Sequence, residues 1–159
     1  MSHASGGARE VSDVLEPTCP FCDIIAGAAP ARVVANFELA IAFFPTSPAA
    51  VGHTLVVPKR HLAQVWSLDA TTAASLCQAT MALVHAVKHA VNPEGLSVIQ
   101  SNGEAATQTV AHLHIHVLPR WVDDGIGPNW PLEATVDSEP LERALAKMRS
   151  DLEVQGDGL

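Results

Sequence analysis

The run His112-Leu113-His114-Ile115-His116-Val117-Leu118 constrains this chain more than any other stretch. Successive side chains of a β-strand point to opposite faces, and residues two apart share a face at about 6.6–6.8 Å. A strand over Val110–Leu118, stopped by Pro119, lines three histidines along one face and sends Leu113, Ile115 and Val117 into a core. Such a strand needs a sheet around it. Further strands are predicted at Arg32–Ala35, Leu39–Phe44, Thr54–Val57 and Leu96–Ser101, with turn signals at Asn36 and Pro45-Thr46-Ser47-Pro48 between them.

Helical spacing is clearest over residues 69–91, where Ala73, Leu76, Thr80, Leu83, Val87 and Val91 form a stripe. Ser67 or Asp69 can cap its start, and Asn92-Pro93 stops it. His85 and His89 lie off that stripe and read as a solvated face, while Cys77 reads as a small core hydrophobe. Ile24-Ile25-Ala26 suggests a short helical turn ending at Gly27, and a further helix is predicted from Ser138, with Leu141, Leu145 and Met148 on one side. The class is α+β. Residues 1–17 have no period and read as a mobile arm, 18–125 as the domain, and 126–159 as a C-terminal extension. That extension is expected to serve dimer packing, unless Trp121 or Trp130 reaches a pocket.

The net charge of −8 is uneven. Five acids face five bases between Cys19 and Arg120, whereas nine of the seventeen acids follow Trp121. A neutral middle and an acidic tail give no electrostatic footprint for a nucleic acid. No unbroken apolar run reaches the roughly 18 residues of a membrane span, and the start lacks the features of a signal peptide. The expected setting is cytoplasmic, with no membrane partner.

Alternating histidines admit two chemistries. They can hold zinc, or one neutral imidazole can attack phosphorus while its neighbours handle protons and phosphate oxygens. The run alone leaves both open. Cys19 and Cys22 form a C-x-x-C pair that is equally open to metal, redox or chance. A thioredoxin-like role is disfavoured, since the pair does not open a helix after a core strand.

Together with Cys19-Pro-Phe-Cys22-Asp-Ile-Ile, Gly52-His-Thr-Leu-Val-Val-Pro-Lys-Arg-His61 and Gln108-Thr109-Val-Ala-His112, the run resembles the histidine triad (HIT) family over about residues 19–120. The likeness is strongest to its nucleotide-binding (Hint) branch. It implies a five-stranded antiparallel sheet with one long helix, a short N-terminal helix and, here, a helical extension. It also implies a homodimer. By the same resemblance, His114 is the nucleophile, His116 contacts the phosphate, and His53 completes the cluster. Gln108 and Thr109 belong to the loop whose amides and hydroxyl hold phosphate oxygens and assist the leaving group. Phe21, Ile24 and Phe43 wall the base pocket. Cys19, Cys22, His61 and His112 match the ligands of a structural zinc ion.

Three positions depart from the family pattern. Pro45 stands where an acidic or amide residue holds the ribose, Ser101 replaces a usual Asn or Gln at a substrate-binding position, and Thr107 replaces a common Gly. The implied activity is a hydrolase or nucleotidyl transferase. It cleaves nucleoside monophosphate derivatives, such as phosphoramidates of a purine nucleotide, at the α-phosphate through a nucleotidyl-histidine. The alternatives are cleavage of dinucleoside polyphosphates, or a nucleotide- and zinc-binding interaction protein with little catalysis.

Overall fold

The computed structural model describes residues 15–127 and 136–156. Five antiparallel strands, β1 (Arg32–Asn36), β2 (Ala40–Phe44), β3 (Thr54–Pro58), β4 (Gly95–Gln100) and β5 (Ile115–Arg120), form one sheet in the order β1-β2-β3-β5-β4. Helix α2 (Ala70–Val91) and helix α3 (Ser138–Gly156) cover one face, and helix α1 (Pro20–Ile25) packs on the other.

The two middle strands are buried throughout because both faces are covered. Ala40, Ala42, Phe44 and Val56 join the core beneath α2 and α3, while Ile41, Phe43, Leu55 and Val57 join a smaller cluster with Cys19, Phe21 and Cys22. The strict polar–apolar alternation of a one-sided antiparallel sheet is therefore missing.

Asp69 caps α2 by accepting the Thr72 N–H at 2.8 Å, and Asn92 ends the helix in the left-handed conformation. By length and composition α2 could cross a bilayer. Its apolar character is that of a core helix, with Leu83, Ala86 and Val87 fully buried. Cys77, expected in the core, is exposed instead. It sits one position past Leu76, and a 100° step per residue turns it off the buried stripe.

Strand β5 corrects its sequence-based bounds at both ends. Its start is delayed to Ile115 because the Pro58 carbonyl, where β3 ends, accepts from the His112 ring at 2.9 Å, not from a backbone N–H. The Leu113 N–H turns to the Leu62 carbonyl at 2.6 Å. Pro119 does not stop the strand. Pairing with β3 ends at Val117, so at Pro119 only β4 is alongside, and a missing N–H is tolerated on the open side.

The C-terminal extension is used within its own chain. Leu141, Ala144, Leu145 and Met148 enter the main core, and α3 covers β1 as well as α2. Arg149 donates from Nε to the Val33 carbonyl at 2.8 Å, and Arg32 pairs with Glu142 at 2.7 Å. Edge strand β1 is thus bulged and covered, a protection that β4 at the other edge lacks among the described residues.

Candidate active site

Two histidine clusters share the face opposite α2. His112, His114 and His116 alternate with Leu113, Ile115 and Val117 as the sequence pattern requires. Leu113 and Val117 are in the core, and Ile115 packs against it. The first two histidines precede β5, His112 in a bend and His114 in the residues that lead into the strand.

In the first cluster Cys19 caps α1 and Cys22 lies in its first turn. The pair opens a short helix, but no strand precedes it among the described residues, so it is not the strand-then-helix arrangement of a thioredoxin-like pair. His112 Nδ1 lies 3.4 Å from Cys19 Sγ and 3.7 Å from Cys22 Sγ, and His61 Nδ1 lies 3.4 Å from Cys22 Sγ. All four donor atoms fall within 4.8 Å of one another. Ligands about 2.0–2.3 Å from a tetrahedral ion stand roughly 3.5 Å apart; the three separations of 3.4–3.7 Å already match this, and the rest, within 4.8 Å, can close on an ion with small side-chain shifts. The second shell agrees. His112 Nε2 donates to the Pro58 carbonyl at 2.9 Å, which leaves Nδ1 unprotonated toward the sulfurs, and the Glu16 amide donates to Cys22 Sγ at 3.3 Å. Burial pushes the Cys22 thiol up, against the opposing pull of the Glu16 amide, and burial lowers His112 to about 4.

The second cluster uses its rings the other way round. His114 Nδ1 donates to the His112 carbonyl at 2.6 Å, leaving Nε2 unprotonated. Gly52, at φ +89°, makes the left-handed turn into β3; a Cβ there would meet Val91 Cγ2 at 3.3 Å. The next residue is His53, whose Nδ1 accepts from the Ala49 amide at 3.0 Å. Its proton is therefore on Nε2, which donates to His116 Nδ1 at 3.0 Å. His116 in turn carries its proton on Nε2. Burial first, then neighbouring imidazoles, lower His53 to about 4 and His116 to about 3. Burial also lowers His114, opposed by its bond to the His112 carbonyl. All three rings are neutral at pH 7.

A cleft of about 780 Å³ opens over this cluster. His53, His114, His116 and Thr109 line one end, and Phe21, Ile24, Phe43 and Leu55 supply apolar wall. Phe21 stands edge-on to both His114 (5.3 Å between centroids) and Phe43 (5.4 Å). Among the described residues no acid lines the cleft, and Arg32 is its one cation. A HIT-domain family profile matches residues 26–122.

The chain belongs to the HIT family.

It is 38% identical to the protein named hit of Bacillus subtilis, over 73% of this chain and 81% of that protein. It is 36% identical to an adenosine 5'-monophosphoramidase of Schizosaccharomyces pombe, over 72% of this chain and 84% of that protein. A crystal structure of a zinc-bound histidine triad family protein from Mycobacterium smegmatis matches with a TM-score of 0.74 at 27% identity, over 89% of this chain and 98% of that one. These relatives place this HIT protein on the Hint-like branch.

Two of the sequence-predicted substrate residues of this HIT protein lie off the cleft. Gln108 is turned away from the cleft onto backbone: Oε1 accepts from the Gly103 amide at 2.6 Å, and Nε2 donates to the carbonyls of Ala63 (2.8 Å) and Val110 (2.9 Å). Ser101 is half-buried, and its carbonyl accepts from Gln100. The amide cradle expected in the loop of Gln108 and Thr109 is narrower too. The amides of Thr107 and Gln108 donate to Glu104 and Gly103, which leaves Thr109 to face the cleft. Trp121 is half-buried beside α3 in a separate depression, and Trp130 lies outside the described residues.

Sequence reasoning missed Arg32 in the cleft wall, and Leu55 beside it. Leu55 carried a signal, since it shares a strand face with Val57 and follows His53 at a spacing of two. The backbone groups of Ala49, Pro58 and His112 that fix the three tautomers carry none.

Proposed function

We propose that the cleft binds a purine nucleotide or nucleotide conjugate and that His114 cleaves it at the α-phosphate. One observation carries this reading: the His112 carbonyl holds the His114 proton on Nδ1 and leaves the Nε2 lone pair for phosphorus. In the first step a bond forms from Nε2 to phosphorus and the bond to the leaving group breaks. The departing amine or oxygen takes its proton through the Thr109 hydroxyl, and the water of the second step returns a proton to that hydroxyl. Charge growing on the phosphoryl oxygens is met by His116 Nε2–H and the Thr109 amide. Water then cleaves the phosphorus–nitrogen bond and releases the nucleoside monophosphate. The phosphoramidase relative supports a phosphoramidate-like substrate.

Zinc is the metal we assign to Cys19, Cys22, His61 and His112. Two thiolates and two imidazoles close its coordination sphere, so it would tie α1 to the sheet and supply no reactive water. Paired thiol ligands suit a reducing compartment such as the cytoplasm. We assign homodimer formation to the β4 edge. Val98 is 54% exposed there, opposite Val117 on the face that carries α2, and Met81 is 50% exposed on α2. Light scattering should give twice the chain mass, and Val98→Lys should shift it toward one.

Rapid quenching of the enzyme with a labelled adenosine phosphoramidate should trap the nucleotide on His114 in an acid-labile bond, and His114→Asn should trap nothing. Labelled adduct in the His114→Asn variant, or its turnover at the wild-type rate, would show that another group attacks.

A further inference from the structure

The metal-ligand cluster and the cleft are built from the same two pieces of chain. Phe21 lies between Cys19 and Cys22, yet its ring stands edge-on to His114 at 86° and lines the cleft with Ile24. His112 gives its ring to the cluster and its carbonyl to His114. The segment in between has little stability of its own. Helix α1 has six residues, and its cap makes no side-chain hydrogen bond. A helix that short is not held by its own hydrogen bonds. It is held by the small apolar cluster around Phe43 and by whatever joins Cys19 and Cys22 to His61 and His112.

We propose that Cys19, Cys22 and His61 are positioning residues for the nucleotide site, so that zinc and nucleotide bind with positive coupling. Fixing the two sulfurs fixes Phe21 and Ile24 as a wall for the base. Fixing the His112 ring fixes the carbonyl that orients the nucleophile. A nucleotide that meets a prebuilt wall does not have to order α1 as it binds, and the affinity gained is the coupling. Linkage is reciprocal, so nucleotide must tighten zinc by the factor by which zinc tightens nucleotide. This coupling rests on the nucleotide and zinc assignments above.

Full-length chain, zinc-loaded or stripped with a chelator, is titrated with AMP, which binds without turnover. Zinc affinity is measured separately by competition with a chromogenic chelator, with and without saturating AMP. The expected coupling is about 5- to 150-fold in both titrations, by the same factor. Phe21→Ala keeps all four ligands, so it should still bind zinc while the factor collapses toward one. His61→Cys restores four donors and should keep the coupling, whereas His61→Ala should lose zinc and bind AMP as the stripped wild type does. Tight AMP binding that does not change with zinc would overturn the coupling alone, and so would full coupling in Phe21→Ala. Absence of AMP binding in both states would overturn the nucleotide assignment along with it, and absence of zinc binding the metal assignment.

Discussion

His112 and His114 are two residues apart on the segment that leads into β5 and use opposite nitrogens. His112 gives its Nε2 proton to the Pro58 carbonyl and keeps Nδ1 for the cluster of sulfurs. His114 gives its Nδ1 proton to the His112 carbonyl and keeps Nε2 for the cleft. Both rings are buried and neutral, so burial and charge do not tell them apart. The carbonyl each ring finds decides which is a ligand and which a nucleophile. An alternating histidine pattern thus specifies a face, and the surrounding backbone specifies the chemistry.

The sharpest way to break that comparison is to remove one ring at a time. His114→Asn should lower kcat by on the order of 10⁴- to 10⁶-fold while zinc content and melting temperature stay near wild type. Steady-state rates and metal analysis on the same preparation test this. Loss of zinc from His114→Asn would show that the two rings do not have separate roles. Cys22→Ser should act on the other side. Without a metal favouring the native state at 100- to 1,000-fold its dissociation constant, stability should fall by about 3–4 kcal/mol, or roughly 10 °C in melting temperature. An unchanged melting curve with zinc supplied would remove the structural metal from the account.

Much of this division was legible in the sequence. The histidine run, the cysteine pair and His53 are side-chain signals at fixed spacing, α2 followed from periodicity, and the five-stranded sheet followed from the family resemblance. Three things were not legible, for one physical reason. The late start of β5 depends on the His112 ring taking a carbonyl that the ladder would otherwise use. Gln108 looks like a phosphate contact but satisfies three backbone groups, two in its own loop and one at Ala63. Helix α3 looks like a spare amphipathic surface until the bulged edge of β1 is seen beneath it. In each case a polar backbone group needed a partner, and pattern reading does not count backbone partners.

The His53–His116 pair sharpens the comparison by pH, with a smaller effect. Both folded-state values, about 4 and about 3, lie below the ordinary histidine value of 6.5. The unfolded chain therefore takes up protons that the folded chain refuses. The neutral rings favour folding fully above pH 6.5, and this advantage is lost as pH falls from there toward 4 and then 3. Each histidine contributes up to about 1.4 kcal/mol per pH unit in that window. Urea melts at pH 7.5, 6 and 5 should show the decline at constant zinc, and His53→Asn should flatten it. An equal slope in the variant would mean that other groups set the acid limit.

The smallest effect is expected at Thr107, which ends the short turn before Gln108 at φ +67° and ψ +19°. The described non-glycine residues with positive φ are Asn92, Thr107 and Asp123. Asn and Asp tolerate this region through their short polar side chains, whereas a β-branched side chain is crowded there, at about 1–2 kcal/mol. Thr107→Gly removes that crowding but gives the unfolded chain more freedom, which takes back roughly half. The net gain should be about 0.5–1 kcal/mol, readable as a rise of a few degrees in melting temperature. The Thr107 amide already donates to Glu104, and the side chain is exposed outside the cleft lining. The mutation should therefore leave kcat within about threefold, since no transition-state contact is removed. A variant that melts higher but turns over tenfold more slowly would reveal strain used to hold Thr109 against the phosphate. A variant that melts lower would show that the left-handed turn is held by contacts of the threonine itself, and the strain argument would be wrong.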